Sequence, residues 1–278
     1  MQTRSWTLAH GRTVTLGARS VVMGILNVTP DSFSDGGAFF SRERALEQAR
    51  RMIAEGADII DIGGESTRPG GAAISAAEEQ ERILPVFEAL AGDADVLLSV
   101  DTYREETARL AVAAGAHIVN DVWGLQRQPG IARVAAETGA GLVIMHTGRE
   151  RQKLPDVIAD QFAFLRRSLE IAAHAGVADT QIMLDPGFGF AKDTDENIEI
   201  MNRFSELAGL GFPLAVGTSR KRFVGAMSGH EDATLRGPAT AATSAVLRLA
   251  GAAVFRVHDV AINRDALKVA DAMLAAAR

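Results

Sequence analysis

The sequence predicts a single (β/α)8 barrel over residues 21–278, preceded by a short N-terminal β-hairpin over residues 1–20. Eight apolar runs of strand length each lead into helical sequence, each run ends in polar or charged residues, and no low-complexity linker or shift in composition divides the chain. A barrel of eight strand-helix units requires this repeat over roughly 250 residues. An open doubly wound sheet is the competing arrangement, but it needs Gly-x-Gly-x-x-Gly between its first strand and helix. Here the first loop carries Asp35-Gly36-Gly37 instead.

Thr7 to Gly17 alternates around His10-Gly11-Arg12 and reads as the hairpin. Val21 to Val28 is a buried strand ending near Asn27, and the helix after it runs from Ser41, its N-cap, to Glu55, with Gly56 as the stop. Ala57 to Ile62 leads into a Gly-rich loop and a helix from Ala76 to Ala91. Val96 to Val100 ends at Asp101, with a helix to Ala114, and His117 to Val119 ends at Asn120-Asp121, with a helix from Ile131 to Thr138. Leu142 to Met145 ends at His146, with a helix from Val157 to Ala175, and Ile182 to Leu184 ends at Asp185, with a helix from Asn197 to Ala208. Pro213 to Val216 leads to Thr218-Ser219-Arg220-Lys221, with helix resuming between Arg236 and Ala250. Ala253 to Val257 is the eighth strand, through Arg256 to His258-Asp259, and the last helix runs from Arg264 to Ala276.

Composition narrows the function classes. A chain of 278 residues that is 47% apolar can bury a large core. Its net charge of −6 argues against a general nucleic-acid or membrane-surface binder, since both need clustered positive charge. The absence of cysteine excludes disulfides and thiol catalysis. Met1 to Trp6 lacks the apolar core of a signal peptide, and no run reaches the ~18 apolar residues of a membrane span. A soluble cytoplasmic protein is the expectation.

Barrel active sites lie at the C-terminal mouth, so the strand tips should carry the chemistry. The tips are Asn27, Asp61, Asp101, Asn120 with Asp121, His146, Asp185, Ser219 to Lys221, and Arg256 with His258. Asp101, Asn120 and Asp185 suit the N–H donors and ring nitrogens of an amide-like fused heterocycle. The competing reading of Asp101 is a simple helix cap. Asp185 opens Asp185-Pro186-Gly187-Phe188-Gly189-Phe190, where backbone and aromatic faces can approach a flat ring. Ser219-Arg220-Lys221, Arg256, His258, Thr67 and Arg68 form an anion-binding set, with Arg as a bidentate fork for phosphate oxygens. Asn27 offers one oxygen to Mg²⁺, which takes its other ligands from phosphate and water. His146 reads as a catalytic base or as an orienting structural residue, and no second His at ligand spacing supports zinc.

Met23 to Gly37, Asp61 to Gly70, Ser99-Val100-Asp101-Thr102, Asn120-Asp121, Met145-His146, Leu184 to Phe190, Ser219-Arg220-Lys221 and Arg256-Val257-His258-Asp259 together resemble dihydropteroate synthase, a pterin-binding enzyme family of folate biosynthesis. The resemblance runs from Val21 onward, motif by motif and in order. It implies a transferase joining 6-hydroxymethyl-7,8-dihydropterin diphosphate to 4-aminobenzoate, with Mg²⁺ as the cofactor and two mobile lid loops, Asp31 to Gly37 and Gly63 to Gly71. By similarity Asp101, Asn120, Met145, Asp185, Gly217 and Lys221 hold the pterin, while Thr67, Arg68, Arg256 and His258 serve the diphosphate. Asn27 binds the metal, and Phe33, Pro69, Phe190 and Ser219 form the aminobenzoate site. Asp101, Asp185, Lys221, Arg256 and the lid residue Asp35 are the catalytic candidates, acting by an SN1-like displacement. Phe188 is assigned to packing. Sulfonamides should compete as aminobenzoate mimics, and the family's homodimer would form through outer helices, with the Ala-rich stretch Ala239 to Ala253 suited either to that contact or to covering the barrel.

Two rivals share the pocket: a methyltetrahydrofolate-dependent methyltransferase and a catalytically silent pterin-binding paralogue. The first has no need of the Ser-Arg-Lys and Arg-Val-His anion set, and the second would be expected to have lost part of it. One departure from the family stands out. After Met145-His146 the family continues Met-x-Gly, whereas this chain reads Thr147-Gly148-Arg149-Glu150.

Overall fold

A computed structural model describes residues 3–29, 37–65, 74–92 and 96–277, the side chains of 37–41 excepted. The hairpin pairs β1 (Arg4–Thr7) with β2 (Thr13–Leu16), antiparallel, from Arg4 opposite Leu16 to Thr7 opposite Thr13. The barrel strands are β3 (Val21–Asn27), β4 (Ile59–Gly63), β5 (Leu97–Asp101), β6 (Ile118–Asp121), β7 (Gly141–Met145), β8 (Ile182–Asp185), β9 (Ala215–Val216) and β10 (Val254–Val257). They form one parallel sheet ordered β9-β10-β3-β4-β5-β6-β7-β8. A parallel bridge between Leu184 and Leu214, with Leu184 N donating to Pro213 O at 3.0 Å, brings β8 back against β9 and nearly closes the barrel.

The two-residue period of a strand decides which side chains face inward. Val21, Met23, Ile59, Leu97, Ile118, Val143, Met183, Ala215 and Val254 fill one buried cluster inside the barrel. Trp6, Leu8 and Leu16 of the hairpin belong to the same cluster, so the hairpin plugs the N-terminal end. The Trp6 indole donates to Gln181 O at 2.8 Å, and a Cβ on Gly141 would lie 2.4 Å from Leu8, which is why the plug faces a glycine. The alternate residues, among them Val22, Ile60, Leu98, Val119, Ile144, Leu184 and Phe255, pack against the helices. With the floor filled by apolar side chains, the next inward positions toward the mouth are Asp61, Asp101, Asn120, Met145, Asp185, Gly217 and Arg256.

The helices are α1 (Gly37–Ala54), α2 (Ala76–Leu90), α3 (Glu105–Ala113), α4 (Gly130–Thr138), α5 (Val157–His174), α6 (Thr194–Asn202), α7 (Arg222–Ser228), α8 (Gly237–Leu249) and α9 (Val260–Ala276). Several boundaries differ from the sequence expectation. Ser41 lies inside α1, which is already helical at Gly37, so it is not the N-cap. The expected helix to Ala208 stops at Asn202, and a 3-10 turn, Phe204–Leu210, carries the chain on. Seven residues directly after Lys221 form α7, too short to show a periodic apolar stripe. Asp259 caps α9 by accepting from Ile262 N, which starts that helix four residues before Arg264. Among the described residues no helix is long and apolar enough to cross a membrane.

Candidate functional site

Three strand tips meet through one guanidinium. Arg256 on β10 reaches Asp61 on β4 through Nε at 2.5 Å and Asp101 on β5 through Nη2 at 2.5 Å. Asn120 on β6 donates its amide to the same Asp61 oxygen at 3.1 Å. Asp101 therefore does not cap its helix: α3 begins at Glu105, and its N-cap residue, Arg104, makes no side-chain cap. The close approach also needs small neighbours, since a Cβ on Gly63 would lie 3.3 Å from the Asp101 side chain.

One cation shared by two carboxylates leaves an excess of negative charge in a buried place. Burial pushes the Asp101 carboxyl up to about 7, against the pull of Arg256 and with Asp61 adding to the rise. For Arg256, burial works against the charge, but Asp61 and Asp101 more than offset it, so the guanidinium stays charged. Asp61 Oδ1, Asp101 Oδ1 and Ser99 Oγ are buried and take no hydrogen bond among the described residues. Buried acceptors of this kind call for donors from a ligand or water. The cluster is thus suited to a ring bearing N–H groups.

Opposite it, Asp185 and Lys221 form the second charged element. Asp185 Oδ1 accepts from Gly187 N at 2.7 Å, tightening the turn that follows β8. Gly187 has φ +63, and a Cβ there would fall 1.9 Å from His146 O, so only glycine fits. Burial raises the Asp185 pKa, countered by Lys221. Burial lowers the Lys221 ammonium to about 7, countered by Asp185 and reinforced by Arg256 and Arg149. Lys221 donates to Phe188 O and lies 4.5 Å from the centroid of the Phe190 ring. The two phenylalanines separate as expected. Phe188 is fully buried and stacks on Phe223 at 5.8 Å, whereas Phe190 joins Val122, Met145 and Trp123 at the mouth. Gly217 sits where a Cβ would be 3.8 Å from Arg256 and 4.0 Å from Lys221 Nζ, between the two cations.

Ser219 and His258 are joined: the hydroxyl meets His258 Nδ1 at 2.9 Å and accepts from His258 N at 3.1 Å. Asn27 ends β3, half-buried and opposite Gly63 in the register. Among the described residues no group of three His, Cys, Asp or Glu is placed to hold a metal ion; the amide oxygen of Asn27 is a hard donor of the kind Mg²⁺ takes. His146 is fully buried on the outer face of β7 and pairs with Asp160 at 3.0 Å and Arg151 at 2.8 Å. Burial, with nearby Lys192, lowers its pKa to about 3, and the ring is engaged by Asp160 and Arg151, which marks it as a structural residue. Asp121, the other strand-tip acid, is likewise structural, accepting from Trp123 N and Leu125 N. Phe33, Asp35, Thr67, Arg68 and Pro69 lie outside the described residues.

The barrel with this mouth can be compared with known proteins. The model of the pterin binding enzyme family matches residues 23–258. The dihydropteroate synthase of Bacillus subtilis is 46% identical over 92% of this chain and 89% of its own. The chain belongs to the dihydropteroate synthase family. A dihydropteroate synthase from Xanthomonas albilineans solved with 4-aminobenzoic acid superposes with a TM-score of 0.91 at 42% identity, over 98% of this chain and 99% of that one. The same organism's enzyme in complex with 7,8-dihydropteroate gives 0.88 at 40% identity, over 97% and 99%.

Two residues of this family member's mouth escaped the sequence reading. Lys192 donates to Gly187 O at 2.8 Å, and burial, with Lys221 close by, lowers its ammonium well below the usual range. Its place two residues after Phe190 was the available signal. Arg149 lies 4.8 Å from the Phe190 ring centroid, and only the departure after His146 marked that loop.

Proposed function

We propose that the protein condenses 6-hydroxymethyl-7,8-dihydropterin diphosphate with 4-aminobenzoate, giving 7,8-dihydropteroate and diphosphate. The observation that carries this reading is the bridge from Arg256 to Asp61 and Asp101 beside Asn120, which sets acceptors for a pterin next to a cation for its diphosphate. Family membership at this level of identity supports the same reaction.

Asp101, Asn120 and Asp185 hold the pterin ring through its N–H groups and ring nitrogens, and Met145 and Gly217 line it. Arg256 and His258 take the diphosphate, and Ser219 fixes the His258 ring. The C–O bond to diphosphate breaks first, and the positive charge that develops on the pterin methylene is stabilised by the excess negative charge of the Asp61–Asp101–Arg256 cluster and by Asp185. The neutral aniline nitrogen then forms the C–N bond and sheds its proton to water or the departing diphosphate. No general base is required, consistent with the burial of His146 away from the inner face.

Asn27 would hold Mg²⁺ through its amide oxygen, with phosphate and water completing the shell. The metal would neutralise the leaving group. Phe190 receives the aminobenzoate ring. Sulfonamides resemble that substrate and compete for the site. The protein acts in the cytoplasm as a homodimer, supported by an apolar face on the packed pair α8 and α9, where Val246, Leu249, Val269 and Met273 are 52%, 45%, 64% and 56% exposed. The test is incubation of the purified protein with the pterin diphosphate, labelled 4-aminobenzoate and Mg²⁺. Labelled dihydropteroate is the expected product; binding of the pterin diphosphate without product would favour the silent paralogue.

A further inference from the structure

The turn after β8 is held by its carbonyls. Gly187, Gly189 and Ala191 stand at φ +63, +76 and +51, so the chain doubles back on itself between Pro186 and Lys192. A segment bent this tightly meets few of its own carbonyls with its own N–H groups; Phe190 N donates to Gly187 O at 3.1 Å. Side chains supply the rest. Gln161 Nε2 donates to Pro186 O at 3.0 Å, and Lys221 Nζ donates to Phe188 O. Lys192 Nζ spans the turn, reaching Gly187 O at 2.8 Å and Phe190 O at 3.4 Å.

Lys192 is itself set in place by the start of α6. Asp193 caps that helix by accepting from Glu196 N at 2.8 Å, and the fully buried Asn197 accepts from Gly189 N at 2.7 Å while donating to Lys192 O at 3.2 Å. The backbone of Lys192 is thereby fixed beside the turn, and its half-buried side chain folds back over it. As ammonium or as amine, the head carries donors enough for both carbonyls. Attraction between Lys192 and Asp185 favours the charged form of each.

We propose that Lys192 is a positioning residue for pterin binding: by clamping Gly187 O and Phe190 O it holds the turn that aims the Asp185 carboxylate at the ring. The proposal rests on the dihydropteroate synthase reading, in which Asp185 holds the pterin. The link runs through Gly187, whose N donates to Asp185 Oδ1 at 2.7 Å while its O accepts from Lys192. Gly187 must be glycine to fit against His146 O, and a glycine has no side chain with which to restrain the peptide groups on either side of it. The restraint comes from Lys192, so the lysine acts on the ring through Asp185 without touching it.

The test is a double-mutant cycle read by calorimetric titration with 6-hydroxymethylpterin, which carries the ring without the diphosphate. Lys192→Met keeps the length of the stem and removes the donors; its Kd should rise about tenfold, the effect of losing one hydrogen bond to a buried group. Lys192→Arg, which keeps donors, should recover most of that loss. In an Asp185→Ala background K192M should change Kd by less than about twofold, because the group it positions is gone. Should D185A fail to fold, Asp185→Asn serves as the background, with the effect of K192M again reduced. Thermal denaturation of each variant reads stability separately. Equal factors in the presence and absence of Asp185 would make Lys192 a merely stabilising residue and overturn the proposal, as would an unchanged Kd in K192M. A wild type that binds no pterin would overturn the reading on which the proposal rests, and the proposal with it.

Discussion

Arg256 on β10 and Asp101 on β5 have two strands, β3 and β4, between them, and they meet at 2.5 Å across the barrel mouth. In the proposed reaction the contact ties the cation that takes the diphosphate to an acid that holds the pterin. Removing either partner should therefore be felt by both halves of the site.

Arg256→Ala should weaken diphosphate binding far more than binding of the free pterin. It also leaves Asp61 and Asp101 without their shared cation, and breaking a buried pair of this kind costs about 3 kcal/mol. Calorimetric titration with pterin and with pterin diphosphate, alongside thermal denaturation, checks both effects. Arg256→Lys should restore little, because a single ammonium cannot reproduce the fork that spans two carboxylates.

Pterin affinity should pass through a maximum near neutral pH. Asp101, raised to about 7, loses its charge as pH falls, and Lys221, lowered to about 7, loses its charge as pH rises. Asp101→Asn should flatten the acid limb and Lys221→Gln the alkaline limb, each with a lower maximum. Binding measured across a pH range that brackets 7 on both sides tests the assignment; a lost limb in the wrong variant would reverse it.

Phe188→Ala and Phe190→Ala should separate stability from substrate binding. Truncating the fully buried Phe188 should cost about 3–5 kcal/mol, read from denaturant unfolding. Phe190 borders the mouth, so its truncation should mainly raise the KM for 4-aminobenzoate, by roughly tenfold for the loss of a stacked aromatic contact.

His117→Asn should make stability less sensitive to acid. Burial lowers the His117 pKa to about 4, with His10 and Arg12 adding to the fall, and its Nδ1 accepts from Leu98 N. The unfolded chain, with the ordinary pKa of about 6.5, binds the proton first, so this group costs stability as pH drops below that value. Asp101, Asp121 and Asp185 are shifted upward and act in the opposite sense. The difference between variant and wild type isolates the histidine. It should move in favour of the variant as pH falls from about 6.5 to about 4, the interval between the unfolded and folded pKa of the histidine.

Much of this protein can be read along one dimension. Apolar runs and the helices between them are local patterns, and a period of two puts Asp61, Asp101, Asn120, Asp185 and Arg256 on the face that carries Ile59, Leu97, Ile118, Met183 and Val254. The separation of Phe188 from Phe190 came from the family resemblance and not from alternation, since the two stand two positions apart in the loop after β8. Helix limits set by single caps were less so: Asp259 and the short α7 depend on one hydrogen bond or one turn rather than on a repeat.

The sequence by itself determined the barrel, the polar ring and the family. Tertiary structure alone decided who pairs with whom. Asp61 looked like one strand tip among eight, yet it holds both Arg256 and Asn120, and His146, which read as either a base or an orienting residue, pairs with Asp160. Arg149 had no motif at all until the fold set it against Phe190. Those contacts join residues 14 to 195 positions apart, and the relation between such positions exists only once the strands have closed around one axis.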